Sequence, residues 1–337
     1  MTKIGLFGIG LDTYWDQFDG LLDRLKGYQK QIADKMLEFG AEVIEAGLVD
    51  SPEKAREAGD YLKKNDVDIV FLYVSTYALS STVLPVAQKL ICPIIILNIQ
   101  PVAAIDYEKF NKLGDRGAMT GEWFAHCQAC SVPEIVNVFN RAGIGYEFVT
   151  GYLGEQAVLD DIQGWIEAAN VAAAMRNNRL GVLGHYYSGM LDVYTDLTKQ
   201  AVAFGTHIEL VEMCELMKYR DEATDAEVEA KIKEFHSTFE VVEACEQEEI
   251  IRAARTSVAL DKLVEVHKLG SMAYYYEGEA GNAYENIVTS AIAGNTLLSV
   301  VEGKDEVFLL VAEGESVEGP ILQIGNTNSH FLFSLVQ

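Results

Sequence analysis

The feature that most constrains the fold is a regular alternation, in the first half of the chain, of short apolar β-branched runs with segments of helical periodicity. Apolar runs of this kind are typical of strands buried on both faces, and the intervening helices connect one strand to a parallel neighbour. The sequence therefore predicts a doubly wound parallel sheet. The predicted strands cover residues 3–9, 41–46, 67–74, 93–98 and 146–149, and the predicted helices cover residues 21–39, 52–65, 81–90 and 134–142.

The same pattern restarts after a predicted helix at residues 163–176 and then gives way to a shorter β-rich segment. The later elements are strands at 179–184 and 207–212, helical stretches at 225–268 and 284–298, and strands at 307–312 and 320–324 that look antiparallel. We therefore predict an α/β protein in which two doubly wound domains precede a short, incomplete antiparallel β segment. Their expected bounds are 1–152 for a Rossmann-like or flavodoxin-like domain, 153–298 for a central α/β domain and 299–337 for the remnant of a C-terminal β domain.

Composition and charge exclude several classes of partner. Of the 337 residues, 49% are hydrophobic and 23% are charged, which is typical of a globular protein. The formal charge of −25 repels phosphate backbones and anionic membranes, so neither a nucleic acid nor a membrane is an expected partner. Apolar runs such as residues 91–99 are far shorter than the ~20 residues of a membrane helix. No signal-peptide pattern opens the chain, and a cytoplasmic location is expected.

The five cysteines do not form the pattern of a secreted disulfide framework, because their number is odd and they are scattered. Reduced thiols are therefore expected. Cys127 and Cys130 form a Cys-x-x-Cys motif, but no second pair at zinc spacing accompanies it, and it lies in a helical pattern where buried cysteines are common. Packing is favoured there over a metal or redox role.

The loops that follow the predicted strands are where a doubly wound sheet binds small polar ligands. The first loop begins at Gly10 and carries Tyr14 and Trp15, and the loop after the fourth strand carries Gln100. A glycine pair opens the first loop, but the third glycine of a dinucleotide-binding motif is absent and bulky aromatic residues occupy its place. The pair therefore indicates a tight turn rather than a nucleotide site.

The most unusual local sequence follows Tyr274, where an aromatic, strand-like run opens into a glycine-rich turn that carries Glu277 and Glu279. A carboxylate on such a turn suits a hard divalent cation or proton exchange with a substrate carbon. It equally suits the N-terminus of the following helix, where the macrodipole favours negative charge. Spacing alone leaves both interpretations open.

The segment Tyr-Glu-Gly-Glu-Ala-Gly-Asn at residues 276–282 resembles the Gly-Glu-Gly segment of L-arabinose isomerases, with Glu279 at the position of a catalytic, metal-binding glutamate. Most of the chain up to about residue 298 takes part in the resemblance. The further similar segments are residues 5–15, 98–104, 150–152, 183–192 and 254–256. The sequence thus resembles the L-arabinose isomerase and L-fucose isomerase group.

This resemblance implies an aldose–ketose isomerase of the L-arabinose to L-ribulose type. It implies Mn²⁺ or another divalent cation as cofactor, with Glu279 as both a metal ligand and an acid–base group, a small-molecule sugar as substrate, and a homo-oligomeric assembly. In such an enzyme the metal polarises two sugar oxygens while a carboxylate moves a proton between neighbouring carbons. The residues matching the family's sugar-binding loops are Tyr14, Trp15, Gln100, His185 and Met190.

The sequence also departs from its relatives. Isomerases of this group hold the metal with two glutamates and two histidines, and Glu279 matches one of these four ligands. After residue 298 the chain passes directly into residues 299–304, which resemble a stretch much later in the C-terminal β domain, as though an internal segment were deleted. His330 has no secure counterpart. Two functions therefore stay open: a metal-dependent isomerase, and a non-catalytic sugar-binding or regulatory remnant of the family.

Overall fold

The chain divides into two compact units, Met1–Ala173 and Ala174–Gln337. The predicted domain bounds at residues 152 and 298 stay predictions. The computed structural model describes residues 2–186, 188–275, 281–288, 290–300, 308–312 and 321–325.

The first unit contains a five-stranded sheet in which every strand pair is parallel. The strands follow the order β2-β1-β3-β4-β5, which is the flavodoxin-like arrangement of doubly wound folds. The parallel, doubly wound sheet predicted for this part of the chain is therefore confirmed. The strands are β1 (Lys3–Ile9), β2 (Glu42–Val49), β3 (Ile69–Tyr73), β4 (Ile94–Gln100) and β5 (Glu147–Tyr152).

Helices connect these strands, and local sequence signals fix several of their ends. Ser51 caps the second helix, because its Oγ accepts from the Lys54 amide at 3.3 Å and Pro52 supplies a preset backbone angle at the first helical position. Gly143 ends the sixth helix in the left-handed region, at φ +70°. The helices are α1 (Leu21–Glu38), α2 (Pro52–Lys64), α3 (Leu84–Ala87), α4 (Tyr107–Lys112), α5 (Arg116–Phe124), α6 (Val132–Ala142) and α7 (Gln156–Arg176).

Strand β3 is buried on both faces of the sheet, which explains its uninterrupted apolar sequence. Ile69, Phe71 and Tyr73 pack into the cluster on one face of the sheet, whereas Val70 and Leu72 pack into the cluster on the other. Each of these residues is at most 1% exposed. Burial of one such side chain contributes about 1.5–3 kcal/mol, so both faces of this strand stabilise the unit.

The second unit contains a five-stranded sheet of order β10-β9-β8-β6-β7. The pairs β6–β7, β6–β8 and β8–β9 are parallel, and β10 is antiparallel to β9. The antiparallel pairing predicted for the two last strands is confirmed, and β9 also pairs with β8. The strands are β6 (Arg179–Gly184), β7 (His207–Val211), β8 (Ser271–Tyr275), β9 (Phe308–Ala312) and β10 (Ile321–Gly325).

The charged stretch predicted at residues 225–268 is two helices in the structure. A capping box opens the first of them, with Thr224 Oγ1 accepting from the Glu227 amide and the Glu227 carboxylate accepting from the Thr224 amide. None of the helices in the described part of the chain combines the length and apolar character needed to cross a membrane. The helices of this unit are α8 (Leu197–Phe204), α9 (Met213–Glu222), α10 (Asp225–Thr238), α11 (Gln247–His267), α12 (Glu285–Val288) and α13 (Ile292–Val300).

The cysteines differ from the expectation of five reduced thiols. Cys127 and Cys130 form a disulfide, with their Cα atoms 5.6 Å apart. They lie in the turns between α5 and α6 rather than in a helix, and these turns bring two side chains three residues apart to bonding distance. Cys92, Cys214 and Cys245 remain thiols.

An ion pair between Arg24 and Glu122 holds α5 against α1. Arg24 NH1 donates to Glu122 Oε2 at 2.5 Å, and NH2 donates to Oε1 at 3.1 Å. Arg24 Nε also donates to the Tyr28 hydroxyl at 2.6 Å, which fixes the guanidinium plane. The hydrogen bond from Arg24 holds the pKa of Glu122 below its usual range, although burial opposes this shift.

We expect Glu122→Gln to lower the free energy of unfolding at pH 7 by about 1 kcal/mol, since the pair is partly exposed. Because the folded-state pKa of Glu122 is depressed, its contribution is fully present above the ordinary pKa of 4.5 and is lost as the pH falls through the lower folded value. The difference between the variant and the parent should therefore shrink below about pH 4. Urea denaturation at pH 7 and at pH 3.5 measures both effects.

Glu38→Gln is the matched control, because Glu38 pairs with Lys35 at 2.7 Å on an exposed helix surface. Its effect should stay within about 0.5 kcal/mol at either pH. Equal losses in the two variants, or a Glu122→Gln effect that is unchanged at pH 3.5, would contradict the role given to the Arg24 pair.

Gly184 closes β6 in a conformation that only glycine adopts without strain. Its φ is +86°, and a Cβ at this position would run into the Tyr275 carbonyl oxygen. That oxygen accepts a hydrogen bond from the His185 amide at 3.1 Å, so the close approach ties the end of β6 to the end of β8.

We expect Gly184→Ala to destabilise the protein by more than 2 kcal/mol, because strain and collision act together. Gly189→Ala is the control, since Gly189 has a φ of +92° but open space around its Cα, and it should cost about 1 kcal/mol. Urea unfolding measures both values. Equal costs would show that the contact with Tyr275 does not limit this position.

Candidate functional site at the carboxyl edges of the two sheets

The carboxyl edge of the first sheet is covered by the segment after β1 and by the turns between α5 and α6. Ser75, which follows β3, donates from Oγ to the Ile9 carbonyl at the end of β1. The carbonyl of Ser75 accepts from Gln128 Nε2 at 2.9 Å, which brings the second segment to the same edge. Since parallel strands end together, side chains from distant parts of the sequence meet here.

Trp15 is half-buried at this edge and is held by a carboxylate. Its Nε1 donates to Asp50 Oδ2 at 2.8 Å, and Lys54 Nζ donates to the same oxygen at 2.8 Å. Asp50 follows the end of β2, and its side chain is 4% exposed. The six-membered ring of Trp15 lies directly over Gly10, where an added Cβ would meet it at 2.8 Å. Because Gly10 has no side chain, it leaves room for the indole ring. Packing against Trp15, in addition to the predicted tight turn, therefore explains a glycine at this position.

Tyr14 belongs to an aromatic cluster next to Trp15. Its ring stacks on that of Phe124, with centroids 4.3 Å apart and an interplanar angle of 22°. Phe18 packs edge-on against Tyr14, with centroids 6.0 Å apart. Burial raises the pKa of the Tyr14 hydroxyl, and the nearby Tyr77 hydroxyl adds to the shift. Tyr14 is therefore a neutral hydrogen-bonding group throughout the physiological pH range.

Gln100 contacts the turns between α5 and α6 with its whole amide group. In the orientation that satisfies its neighbours, Nε2 donates to the His126 carbonyl at 2.9 Å and to Gln128 Oε1 at 2.9 Å, while Oε1 accepts from the Ala129 amide at 3.2 Å. These bonds fix the position of the turn segment over β4. The sugar-binding role predicted for Gln100 stays a prediction, and the geometry gives it a positioning role as well.

The carboxyl edge of the second sheet carries His185 and Tyr275. These residues lie at the ends of the adjacent parallel strands β6 and β8, and their rings meet edge-on with centroids 5.4 Å apart. His185 Nδ1 lies 2.9 Å from the Tyr186 carbonyl oxygen, so Nδ1 carries a proton and donates it to that oxygen. Tyr275 is 5% exposed and packs against the imidazole.

Met190 lies in the exposed turn that follows His185. Its side chain is 36% exposed. The turn is held by the Tyr194 hydroxyl, which accepts from the Gly189 amide at 2.9 Å, and by the Tyr186 hydroxyl, which donates to the Thr195 carbonyl at 3.2 Å. Met190 thus lies in the connection between β6 and α8, and the sugar-binding role predicted for it stays a prediction.

The proposed metal ligand, Glu279, lies outside the described residues. Within the part of the chain that is described, no three His, Cys, Asp or Glu side chains come together in a way that would hold a metal ion. A catalytic divalent cation needs several protein ligands and their supporting hydrogen bonds. The described residues therefore do not form the centre of two glutamates and two histidines that the resemblance implies.

The structure groups the predicted sugar-contacting residues by unit. Tyr14, Trp15 and Gln100 share the carboxyl edge of the first sheet, whereas His185 and Met190 lie at that of the second. Sequence reasoning missed the groups that position these residues, namely Asp50, Phe124, Gln128 and Tyr275. Of these, Asp50 carried a usable signal, because it is a carboxylate directly after an apolar strand and before a helix start.

Comparison with known proteins supports a distant relationship to the sugar isomerases. No family model matches the chain. Over 147 residues the sequence is 24% identical to an L-arabinose isomerase from Clavibacter sepedonicus. The aligned part covers 42% of this chain and 29% of that protein, so the chain spans well under a third of the relative it matches. The relationship to L-arabinose isomerase is thus a distant similarity over part of each chain.

Proposed function

We propose that this chain binds a small sugar and acts as an aldose–ketose isomerase of the L-arabinose to L-ribulose type. The observation that carries the proposal is the pairing of β6 with β8. These adjacent parallel strands end at His185 and at the segment that leads to Glu279, which places an imidazole and the start of that segment at one sheet edge. The similarity to an L-arabinose isomerase supports the same chemistry.

The chemistry requires removal of a weakly acidic hydrogen beside a carbonyl. In the proposed reaction, the Glu279 carboxylate takes the proton from C2 of the open-chain aldose, and the electron pair forms the C1–C2 double bond of an enediolate. The electrons of the C1 carbonyl move onto its oxygen, which takes the proton of the C2 hydroxyl. The C2–O electron pair then forms the ketose carbonyl, while the electron pair of the C1–C2 double bond takes the proton back from the Glu279 carboxyl at C1. His185 is proposed to hydrogen bond the sugar through its Nε2 side.

The aromatic residues of the first sheet suit a neutral polyol. Tyr14 and Trp15 are partly exposed aromatic residues beside hydrogen-bonding groups, a combination with which proteins commonly hold sugars and other small polar ligands. We propose that these two residues bind a small sugar at the edge of the first sheet. A divalent cation, Mn²⁺ by resemblance, is part of this proposal, but no step is assigned to it, because the described residues assemble no metal centre.

A second candidate function is sugar binding without catalysis. The sequence favours it, because Glu279 matches one of the family's four metal ligands and residues 299–304 resemble a stretch much later in the family's C-terminal β domain. A protein that keeps the sugar-facing loops but has lost the metal-binding segment would bind its ligand without converting it.

A ketose assay with L-arabinose and L-fucose, in the presence and absence of Mn²⁺, separates the two functions. We expect Glu279→Gln to lower kcat at least 100-fold, because loss of a general acid–base group costs this much. Glu277→Gln is the matched control, two residues away in the sequence, and should keep kcat within about threefold of the parent.

Isothermal titration with Mn²⁺ and with each sugar completes the test. Turnover that depends on both Mn²⁺ and Glu279 supports the isomerase. Sugar binding without turnover, unchanged by EDTA, supports the second candidate. Neither binding nor turnover with either sugar would contradict both.

A further inference from the structure

The Cys-x-x-Cys segment in the turns between α5 and α6 is a chemically reactive motif that the proposed function does not use. Cys127 and Cys130 are paired in the structure, and their Cα separation of 5.6 Å lies in the normal range for a disulfide. In a chain with an otherwise scattered set of cysteines, such a pair calls for an explanation beyond packing. Cys-x-x-Cys beside a parallel α/β sheet is a common arrangement for thiol–disulfide exchange.

The two sulfurs differ strongly in access to solvent. Cys127 is 4% exposed, whereas Cys130 is exposed. Cys130 directly precedes Ser131, which is the N-cap of the eleven-residue helix α6. Amides at a helix N-terminus favour negative charge on a neighbouring group, which suits a thiolate. Cys130 is therefore the more accessible of the two cysteines to an external thiol.

The backbone around the pair is held by contacts that do not involve sulfur. Gln128 is fully buried, and its Nε2 donates to the carbonyls of Ser75 and Ala125, each at 2.9 Å. The Ser131 hydroxyl oxygen accepts from the Ala78 amide at 2.7 Å. Both anchors persist when the disulfide opens, so the two thiols stay close together and can pair again. If the disulfide were purely structural, the segment would depend on it for its conformation, whereas here other contacts hold the segment.

We propose that Cys127 and Cys130 form a redox-active dithiol–disulfide pair, in which Cys130 is the sulfur that exchanges with an external dithiol or glutathione. The pair closes the turn segment whose backbone holds the Gln100 amide at the carboxyl edge of the first sheet. The proposal does not rest on the isomerase activity.

The exchange balances as two successive displacements. A thiolate of the external dithiol attacks Cys130 Sγ, a new S–S bond forms, the Cys127–Cys130 bond breaks, and the electron pair leaves on Cys127 Sγ, which takes up a proton. The second thiol of the dithiol then attacks its own sulfur in the mixed disulfide. Cys130 leaves as a thiolate, and the dithiol departs as a cyclic disulfide, so that two electrons reach the protein. In oxidation, the Cys130 thiolate attacks glutathione disulfide and one glutathione thiolate leaves. The Cys127 thiolate then attacks Cys130 Sγ in the mixed disulfide, the second glutathione thiolate leaves, and the protein disulfide forms again.

The test uses the folded full-length chain and mass mapping after trypsin. One expected tryptic peptide, residues 117–141, carries both cysteines of the pair and no other cysteine. We expect dithiothreitol to reduce the pair without denaturant, and glutathione disulfide to restore it. In Cys127→Ser, glutathione disulfide should leave a stable adduct on Cys130. In Cys130→Ser, the adduct on buried Cys127 should be at least tenfold less abundant.

Cys214 and Cys245 serve as internal references, because both are exposed and should react equally in the parent and in both variants. Circular dichroism spectra that match the parent show that each variant is folded. Reduction that requires denaturant, equal adducts on the two cysteines, or a pair that stays as two thiols under glutathione disulfide would each overturn the proposal. An unfolded serine variant leaves the reduction and reoxidation of the parent as the deciding measurement.

Discussion

Parallel pairing of β1 with both β2 and β3 is the constraint on which the first unit depends. The register joins Gly8 to Leu48 on one side and to Tyr73 on the other, so three strands end at the same level. Every crossover helix must then return the chain to the opposite edge, and every connecting loop after a strand lies at one edge. The placement of Trp15 beside Asp50 follows from this pairing, although 35 residues separate them.

Long-range polar contacts, as well as burial, hold the segments that cover the carboxyl edge of the first sheet. Arg24 holds Glu122 and therefore α5, while the stacking of Phe124 on Tyr14 joins that helix to the first loop. Gln100 then fixes the following turns. The turn that contains Cys127 and Cys130 is the segment that contacts the Gln100 amide, so the proposed disulfide exchange takes place in this layer of the first unit.

Strands and long helices were predictable because each has a strong local signal. The apolar run that became β3 is buried on both faces, and the bounds of β1 and β6 match the predicted ones. Helix α5 was not predicted, because its sequence contains two glycines and lacks a periodic apolar stripe. None of its residues is buried, and it is held by contacts to residues about a hundred positions away. The disulfide was missed for a related reason, since a helical pattern was assigned where turns bring two sulfurs together.

The strand ends near the candidate site residues were predictable from the sequence, whereas the groups that contact those residues were not. Strand ends identified the loops that carry Tyr14, Trp15 and His185, but the groups that orient them come from other elements and require the register. The strand pairing shows that Asp50 contacts Trp15 and that Tyr275 contacts His185. Gln100 was predicted as a sugar-binding residue. In the structure its amide bonds to the turns between α5 and α6, and these contacts cannot be read from the sequence.

Both candidate functions require a bound sugar, and the proposal that the carboxyl edge of the first sheet binds it is tested most directly by the fluorescence of Trp15 alone. Replacing the other two tryptophans, as in Trp123→Phe with Trp165→Phe, leaves this indole as the single reporter. Titration with L-arabinose should then give a saturable change in emission. Tyr14→Ala should raise the apparent Kd obtained from this change at least tenfold. An emission spectrum that stays constant while calorimetry detects bound sugar would contradict the claim.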